Sequence, residues 1–99
     1  MFGLNNQELL KQMQESVELS KQKMEETRVS GEAAGGLVRI ELNGNRRLTN
    51  LEVNAPLGDI SKEDLEDFIS VALNQALEKA NELNEQEMAE SARQFMPGF

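Results

Sequence analysis

The sequence lacks four residue types on which much protein chemistry depends. Its 99 residues include no cysteine, histidine, tryptophan or tyrosine. Without cysteine there is no disulfide framework and no thiolate metal site. Without histidine and cysteine, the usual nucleophile–base pairs are also missing. The carboxylates lie at helical spacings among lysine and glutamine, as on solvated helix faces. The sequence therefore predicts no enzyme activity, no small-molecule substrate, no cofactor and no metal site.

Long apolar runs are also absent. No run approaches the roughly 20 residues that a membrane span needs, and the N-terminal residues do not form a signal-peptide pattern. We therefore expect a cytoplasmic protein without a membrane partner. A chain of 99 residues is short enough to form one domain, which we expect to span residues 1–99.

The charge is strongly acidic but unevenly distributed. Ten lysines and arginines face 18 aspartates and glutamates, which gives a formal net charge of −8. A uniform field of that sign repels nucleic acid. The segment from Arg28 to Arg47, however, has four arginines and only two acids, Glu32 and Glu41. A polyanionic partner would have to bind this local basic surface.

The centre of the chain has the pattern of a small antiparallel sheet. Val38, Ile40 and Leu42 alternate with charged residues, and Leu51 and Val53 alternate in the same way. This period of two predicts strands with one buried face, on which these five residues should lie. Asn43-Gly44 between the two runs predicts a hairpin, because these residue types tolerate positive φ. Residues 27–30 alternate more weakly and predict a third strand, joined to the hairpin by a turn over residues 31–36.

This glycine-rich turn could be mistaken for a phosphate-binding loop. Such a loop is followed by a helix whose N-terminus faces the phosphate. Here the strand pattern beginning at Leu37 follows instead. We therefore interpret residues 31–36 as a turn or bulge between strands.

Both flanks predict helices. From Gln7 to about Thr27 nothing breaks a helix, and an apolar seam runs along it: Leu10, Met13, Val17 and Met24. This seam could cover the domain's own sheet or contact a partner helix. Ser61-Lys62-Glu63-Asp64 resembles a capping box and begins a helix that continues to about Arg93.

The length of the second helix favours a dimer. A helix over residues 62–93 would extend about 48 Å, whereas a seven-residue strand reaches about 23 Å. Roughly half of the helix must project beyond the sheet. Because its apolar residues continue into the projecting half, the simplest partner is the same helix of a second copy.

Several segments together resemble the YbaB/EbfC family of nucleoid-associated proteins. The central match comprises Val29-Ser30-Gly31-Glu32, Gly35-Gly36-Leu37-Val38-Arg39-Ile40 and Asn43-Gly44, and the flanking segments also agree, including Leu10-Lys11-Gln12-Met13-Gln14 and Met96-Pro97-Gly98-Phe99. The resemblance implies an α+β subunit of helix, three-stranded antiparallel sheet and helix. It also implies a tweezers-like homodimer with projecting helices, and double-stranded DNA in the bacterial nucleoid as the partner.

The expected DNA contacts are basic residues outside the acidic second helix: Lys11, Lys21, Lys23, Arg28, Arg39, Arg46 and Arg47. For each of them the alternative is a solvated charge or a partner for a nearby acid. The sequence has no recognition-helix motif and no aromatic platform, so we expect backbone contacts with weak sequence preference. The candidate dimer-interface residues lie on the second helix: Phe68, Leu73, Leu77 and Leu83.

A second hypothesis is an acidic, dimeric protein–protein interaction module, such as an adaptor or chaperone-like protein. The net charge of −8 favours it. Salt separates the two hypotheses, because binding to phosphates weakens steeply as salt rises whereas binding in an apolar groove hardly responds.

Overall fold

Two helices flank a three-stranded antiparallel sheet in the computed structural model, which describes residues 6–95. The order along the chain is α1 (Asn6–Glu26), β1 (Arg28–Ala33), β2 (Val38–Asn43), β3 (Leu48–Val53) and α2 (Lys62–Phe95). The strands are adjacent in the order β1-β2-β3. The expected α+β subunit is therefore confirmed. At the start of α2, the Asp64 N–H donates to Ser61 Oγ at 3.0 Å, as the capping-box pattern predicted.

The strand register places the predicted apolar residues on one face of the sheet. Gly31, Ile40 and Leu51 form one cross-strand row, and Ala33, Val38 and Val53 form another. Helix α2 packs across β1 and β2 on this inner face. Val38, Ile40 and Leu42 are consequently buried, whereas Leu51 remains 47% exposed. The predicted face is thus correct, but the subunit itself covers only part of it.

An alanine stripe lets α2 lie unusually close to β1. Ala72, Ala76 and Ala80 are fully buried and follow one another at intervals of four residues. A Cβ added at Gly31 would lie 2.0 Å from Ala72 O, so the helix backbone rests directly on this glycine.

Gly31 belongs to β1, and the prediction that the turn begins there is wrong. The turn occupies residues 34–36, where φ is positive at all three positions (55°, 66° and 92°).

The β2–β3 hairpin occurs at the predicted place but by a different geometry. The Asn43 N–H donates to Arg47 O at 2.9 Å, and the Arg46 N–H donates to Asn43 O at 3.0 Å. The residue with positive φ is Arg46 (67°), not Gly44. This is a three-residue loop whose last residue has a left-handed backbone conformation, a common alternative to the two-residue turn.

Gly44 is required here by a close contact. Its N–H donates to Met24 O at 2.8 Å, and an added Cβ would lie 2.8 Å from Met24 Sδ. Any side chain at this position would push the loop away from the end of α1.

Beyond the hairpin, α1 and α2 form an antiparallel arm. Ser20 Oγ donates to Glu87 Oε2 at 2.8 Å, and the Ser16 and Ser91 hydroxyls are 3.2 Å apart. The arm makes the subunit elongated, with extents of 68 × 21 × 16 Å. Within the predicted α1 seam only Met24 is buried, while Leu10, Met13 and Val17 are exposed. The seam therefore does not cover the sheet, and most of it is available to a partner.

Candidate nucleic-acid interface

Three asparagines fix the hairpin loop between the two helices. Asn43 is buried, and its Oδ1 accepts the N–H groups of Asn45 (2.9 Å) and Arg47 (3.0 Å). Asn45 Nδ2 donates to Lys21 O at 3.1 Å on α1. From α2, Asn84 Nδ2 donates to Gly44 O. The loop is therefore anchored from both sides.

Sequence reasoning missed these asparagines. An asparagine that opens a turn is a known signal for a side-chain-to-backbone bond, so Asn43 could have been found. The contacts of Asn45 and Asn84 depend on the packing of the helices and have no local signal.

Arg46 and Arg47 lie together on this anchored loop. Arg46 Nε donates to Asn81 Oδ1 of α2 at 2.6 Å. Arg47 Nη1 lies 3.5 Å from Glu25 Oε1, and its side chain is 75% exposed. Hydrogen bonding from Asn45 is the largest cause that lowers the pKa of Glu25, and Arg47 lowers it further. The loop thus carries two consecutive arginines, one bonded to α2 and the other beside α1, and each has further N–H donors to offer.

Two other candidate arginines lie on the outer face of the sheet, opposite α2. Arg39 pairs in the register with Glu32 and Glu52, and its Nη1 is 4.0 Å from Glu32 Oε1. Arg28 Nε is 4.0 Å from Glu41 Oε1. Three acids, Glu32, Glu41 and Glu52, outnumber the two arginines on this face. It is therefore a weaker surface for phosphates than the hairpin loop, in which Arg47 lies beside Glu25 but Arg46 is bonded to the neutral Asn81.

The three candidate lysines are spread along α1. Lys23 Nζ lies 2.8 Å from Glu87 Oε1, and the hydrogen bond to Glu87 raises the pKa of Lys23. The same bond and a second one from Ser20 lower the pKa of Glu87. Lys11 and Lys21 are exposed. Lys11 is about 20 Å along the helix from Met24, so the seven candidates do not form one patch.

The predicted interface residues on α2 are half-buried. Phe68, Leu73 and Leu77 pack beside the subunit's own core. Leu83 lies farther along the helix and is also half-buried. The large apolar side chains left exposed on the sheet are Leu48 and Leu51 of β3. Sequence reasoning predicted only that Leu51 faces inward, and it did not single out Leu48.

Comparison with known proteins identifies the family. Residues 1–95 match the model of the YbaB/EbfC DNA-binding family. The chain belongs to the YbaB/EbfC DNA-binding family. It is 34% identical over 90 residues to a nucleoid-associated protein of Flavobacterium johnsoniae, a match that covers 91% of this chain and 84% of that protein.

A solved structure has the same fold as this YbaB/EbfC family member. An uncharacterized protein from Helicobacter pylori superposes with a TM-score of 0.76 at 22% identity. The match covers 91% of this chain and 98% of that one. At this level of identity the likeness shows the fold alone.

Residues 6–95 of this YbaB/EbfC chain were also searched for metal sites and membrane spans. Within residues 6–95, no three acidic side chains are placed so that they could share a metal ion. None of the helices in that range is both long and apolar enough to span a membrane.

Proposed function

We propose that this protein binds duplex DNA as a homodimer, through backbone contacts with weak sequence preference. In the cytoplasm it would bind the nucleoid and influence nucleoid organisation and gene expression. The observation that carries the proposal is the anchored pair Arg46-Arg47, in a chain that belongs to a DNA-binding family.

The hairpin loop is better suited to phosphates than the other basic surfaces. Both helices hold its backbone, so little conformational entropy is lost when a ligand binds there. Arginine can bind a phosphate through two parallel N–H bonds. Both arginines on the outer face and Lys23 on the arm lie beside acids. In the loop Arg47 lies beside Glu25, but Arg46 is bonded to a neutral amide.

Backbone contacts follow from what this surface can present. Base-edge readout in the major groove commonly uses an inserted helix, but α2 has Glu63 and Asp64 in its first turn and is acid-rich along its length. A short loop with two arginines reaches phosphate oxygens instead, which position a protein on DNA without reading its sequence.

The inner face of β3 supports the homodimer. Leu48 and Leu51 are about half exposed on it, and Val53 is half-buried beside them. The core is thin, because half of its buried hydrophobic side chains among residues 6–94 are alanines: Met24, Ala33, Val38, Ile40, Leu42, Ala72, Ala76 and Ala80. A second copy packed by twofold symmetry would cover β3 and deepen this core. It would also present two hairpin loops to one duplex.

The proposal is tested with two double variants. R46A/R47A removes the loop pair and R28A/R39A removes the outer-face pair, so each lowers the charge by the same amount. In gel-shift or fluorescence-anisotropy titrations over several salt concentrations, R46A/R47A should weaken binding to all duplexes alike. The slope of log K against log salt should fall by about one for each arginine–phosphate bond that the substitutions remove.

R28A/R39A is the matched control and should have a smaller effect on both quantities. A parent protein that binds no duplex even at low salt would contradict the function. Equal effects of the two variants would contradict the choice of site, and α1 lysines such as Lys11 and Lys21 would be tested next.

An acidic protein–protein interaction module is the second candidate, and one observation favours it. Leu10, Met13 and Val17 leave an apolar stripe exposed on α1. A partner bound there would be held by apolar burial, so its affinity should hardly change between low and high salt.

A further inference from the structure

Arg46 has a backbone conformation that arginine rarely adopts. Its φ of 67° lies in the left-handed region, where a Cβ crowds the backbone. Residues held in such conformations cluster at functional sites, where the surrounding structure over-determines them. The contacts that hold Arg46 in this conformation therefore bear on its function.

Helix α2 holds the Arg46 side chain as well as the loop backbone. Asn81 follows the buried Ala80, and its Oδ1 accepts the Arg46 Nε–H at 2.6 Å. Nearly one turn later, Asn84 binds Gly44 O of the same loop. The two asparagines have different partners: one fixes the backbone and the other fixes a guanidinium.

The Asn81 bond occupies only one of the five N–H donors of Arg46. With Nε bound, the four N–H donors on Nη1 and Nη2 remain for another ligand. These two nitrogens can bind a phosphate side by side. A neutral acceptor such as an amide orients the guanidinium without cancelling its charge, which a carboxylate would do.

We infer that Asn81 is a positioning residue for DNA, orienting Arg46 so that Nη1 and Nη2 meet a backbone phosphate. This inference rests on the proposed function. It adds Asn81 of the acid-rich helix α2 to the DNA site, although the Asn81 side chain has no charge.

The test is a double-mutant cycle on the full chain between N81A and R46A, with duplex affinity measured at several salt concentrations. N81A should weaken binding about three- to tenfold, because the hydrogen bond that orients a charged group is removed. The salt slope should stay near that of the parent, since Arg46 keeps its charge. R46K should behave like N81A, because lysine has a charge but no Nε–H donor.

The cycle separates positioning from a general structural role. In the R46A background, N81A should have no further effect on affinity. N74A is the matched control, because Asn74 is an exposed asparagine on the same helix. It should bind like the parent. Thermal unfolding of each variant, followed by circular dichroism, reports any loss of fold.

Three results would overturn the inference. N81A could bind as tightly as the parent, or its weaker binding could persist unchanged in the R46A background, which would mean that Asn81 does not act through Arg46. A parent that binds no duplex would remove the proposed function and this inference with it. A parent that binds while N81A is unchanged would remove the inference alone.

Discussion

Gly31 and Gly44 are glycines for reasons of space, not of backbone conformation. Each accommodates a helix: Gly31 lies under Ala72 O, and Gly44 lies against Met24. A sequence indicates where glycines are, but the approach of a distant helix is a tertiary property. The local pattern therefore placed Gly31 in a turn, which was wrong, and it gave no sign of the contact between Gly44 and Met24.

At this residue scale, Gly31→Ala should be strongly destabilising. The new Cβ would lie 2.0 Å from Ala72 O and 2.7 Å from Ala76 N, and both are backbone atoms that move only with the helix. We expect a decrease of about 3 kcal/mol in the free energy of unfolding, measured by urea denaturation with circular dichroism.

Gly58→Ala is the control for this prediction. Nothing lies within 4 Å of a Cβ built at Gly58. It should change the free energy of unfolding by no more than about 0.5 kcal/mol. A G31A protein as stable as G58A would show that α2 can shift away from β1 at little cost.

At the scale of elements, sequence predicted the helices and strands well. The helices expected over residues 7–27 and 62–93 are observed at Asn6–Glu26 and Lys62–Phe95. Uninterrupted helix formers and the Ser61 cap are local signals, and so is the alternation of β2 and β3. The contact between the helices is not local, because serine and glutamate on a helix surface look the same whether solvated or paired.

The bonds between Ser20, Lys23 and Glu87 make this contact dependent on pH. Folding lowers the pKa of Glu87, so the ionised carboxylate stabilises the folded arm. That stabilisation is present above the ordinary glutamate pKa of about 4.3 and is lost as pH falls through the lower folded value. Glu87→Gln should therefore lower the melting temperature at pH 7, and its difference from the parent should shrink towards pH 3.

Glu85→Gln provides the control, since Glu85 is an exposed glutamate on the same helix. Its difference from the parent should be small at both pH values. If E87Q and E85Q behave alike in melts followed by circular dichroism, the bonds to Glu87 do not stabilise the arm.

At the scale of the whole molecule, helix length predicted the shape of the subunit but not what lies beside its arm. Helix α2 does project beyond the sheet, but α1 of the same chain lies beside the projecting part. The exposed apolar surface of the sheet is instead the inner face of β3. Leu77 packs against the core of its own subunit, so a charge there would damage the fold as well as any interface.

Leu51→Asp tests the homodimer more directly than a charge at Leu77 would. Leu51 is already 47% exposed in the subunit, so a carboxylate there can stay solvated in a monomer. In a dimer that buries β3 it would be an unpaired buried charge, which costs several kcal/mol. Sedimentation velocity should therefore show a folded monomer for L51D.

Leu19→Asp is the matched control, because Leu19 is an exposed leucine of the arm. That variant should sediment like the parent protein. An L51D protein that remains dimeric would show that β3 is not the interface.

The antiparallel arm has a mechanical consequence. Helix α1 begins and α2 ends at the same end of the arm, because Ser16 lies beside Ser91 and Ser20 beside Glu87. A stretching force applied between Asn6 and Phe95 would pull the helices apart sideways. The Ser16–Ser91 contact would then open first, the Glu87 bonds second and the anchored hairpin last. The arm would thus unzip step by step at low tension, and the strands would bear load only after it had opened.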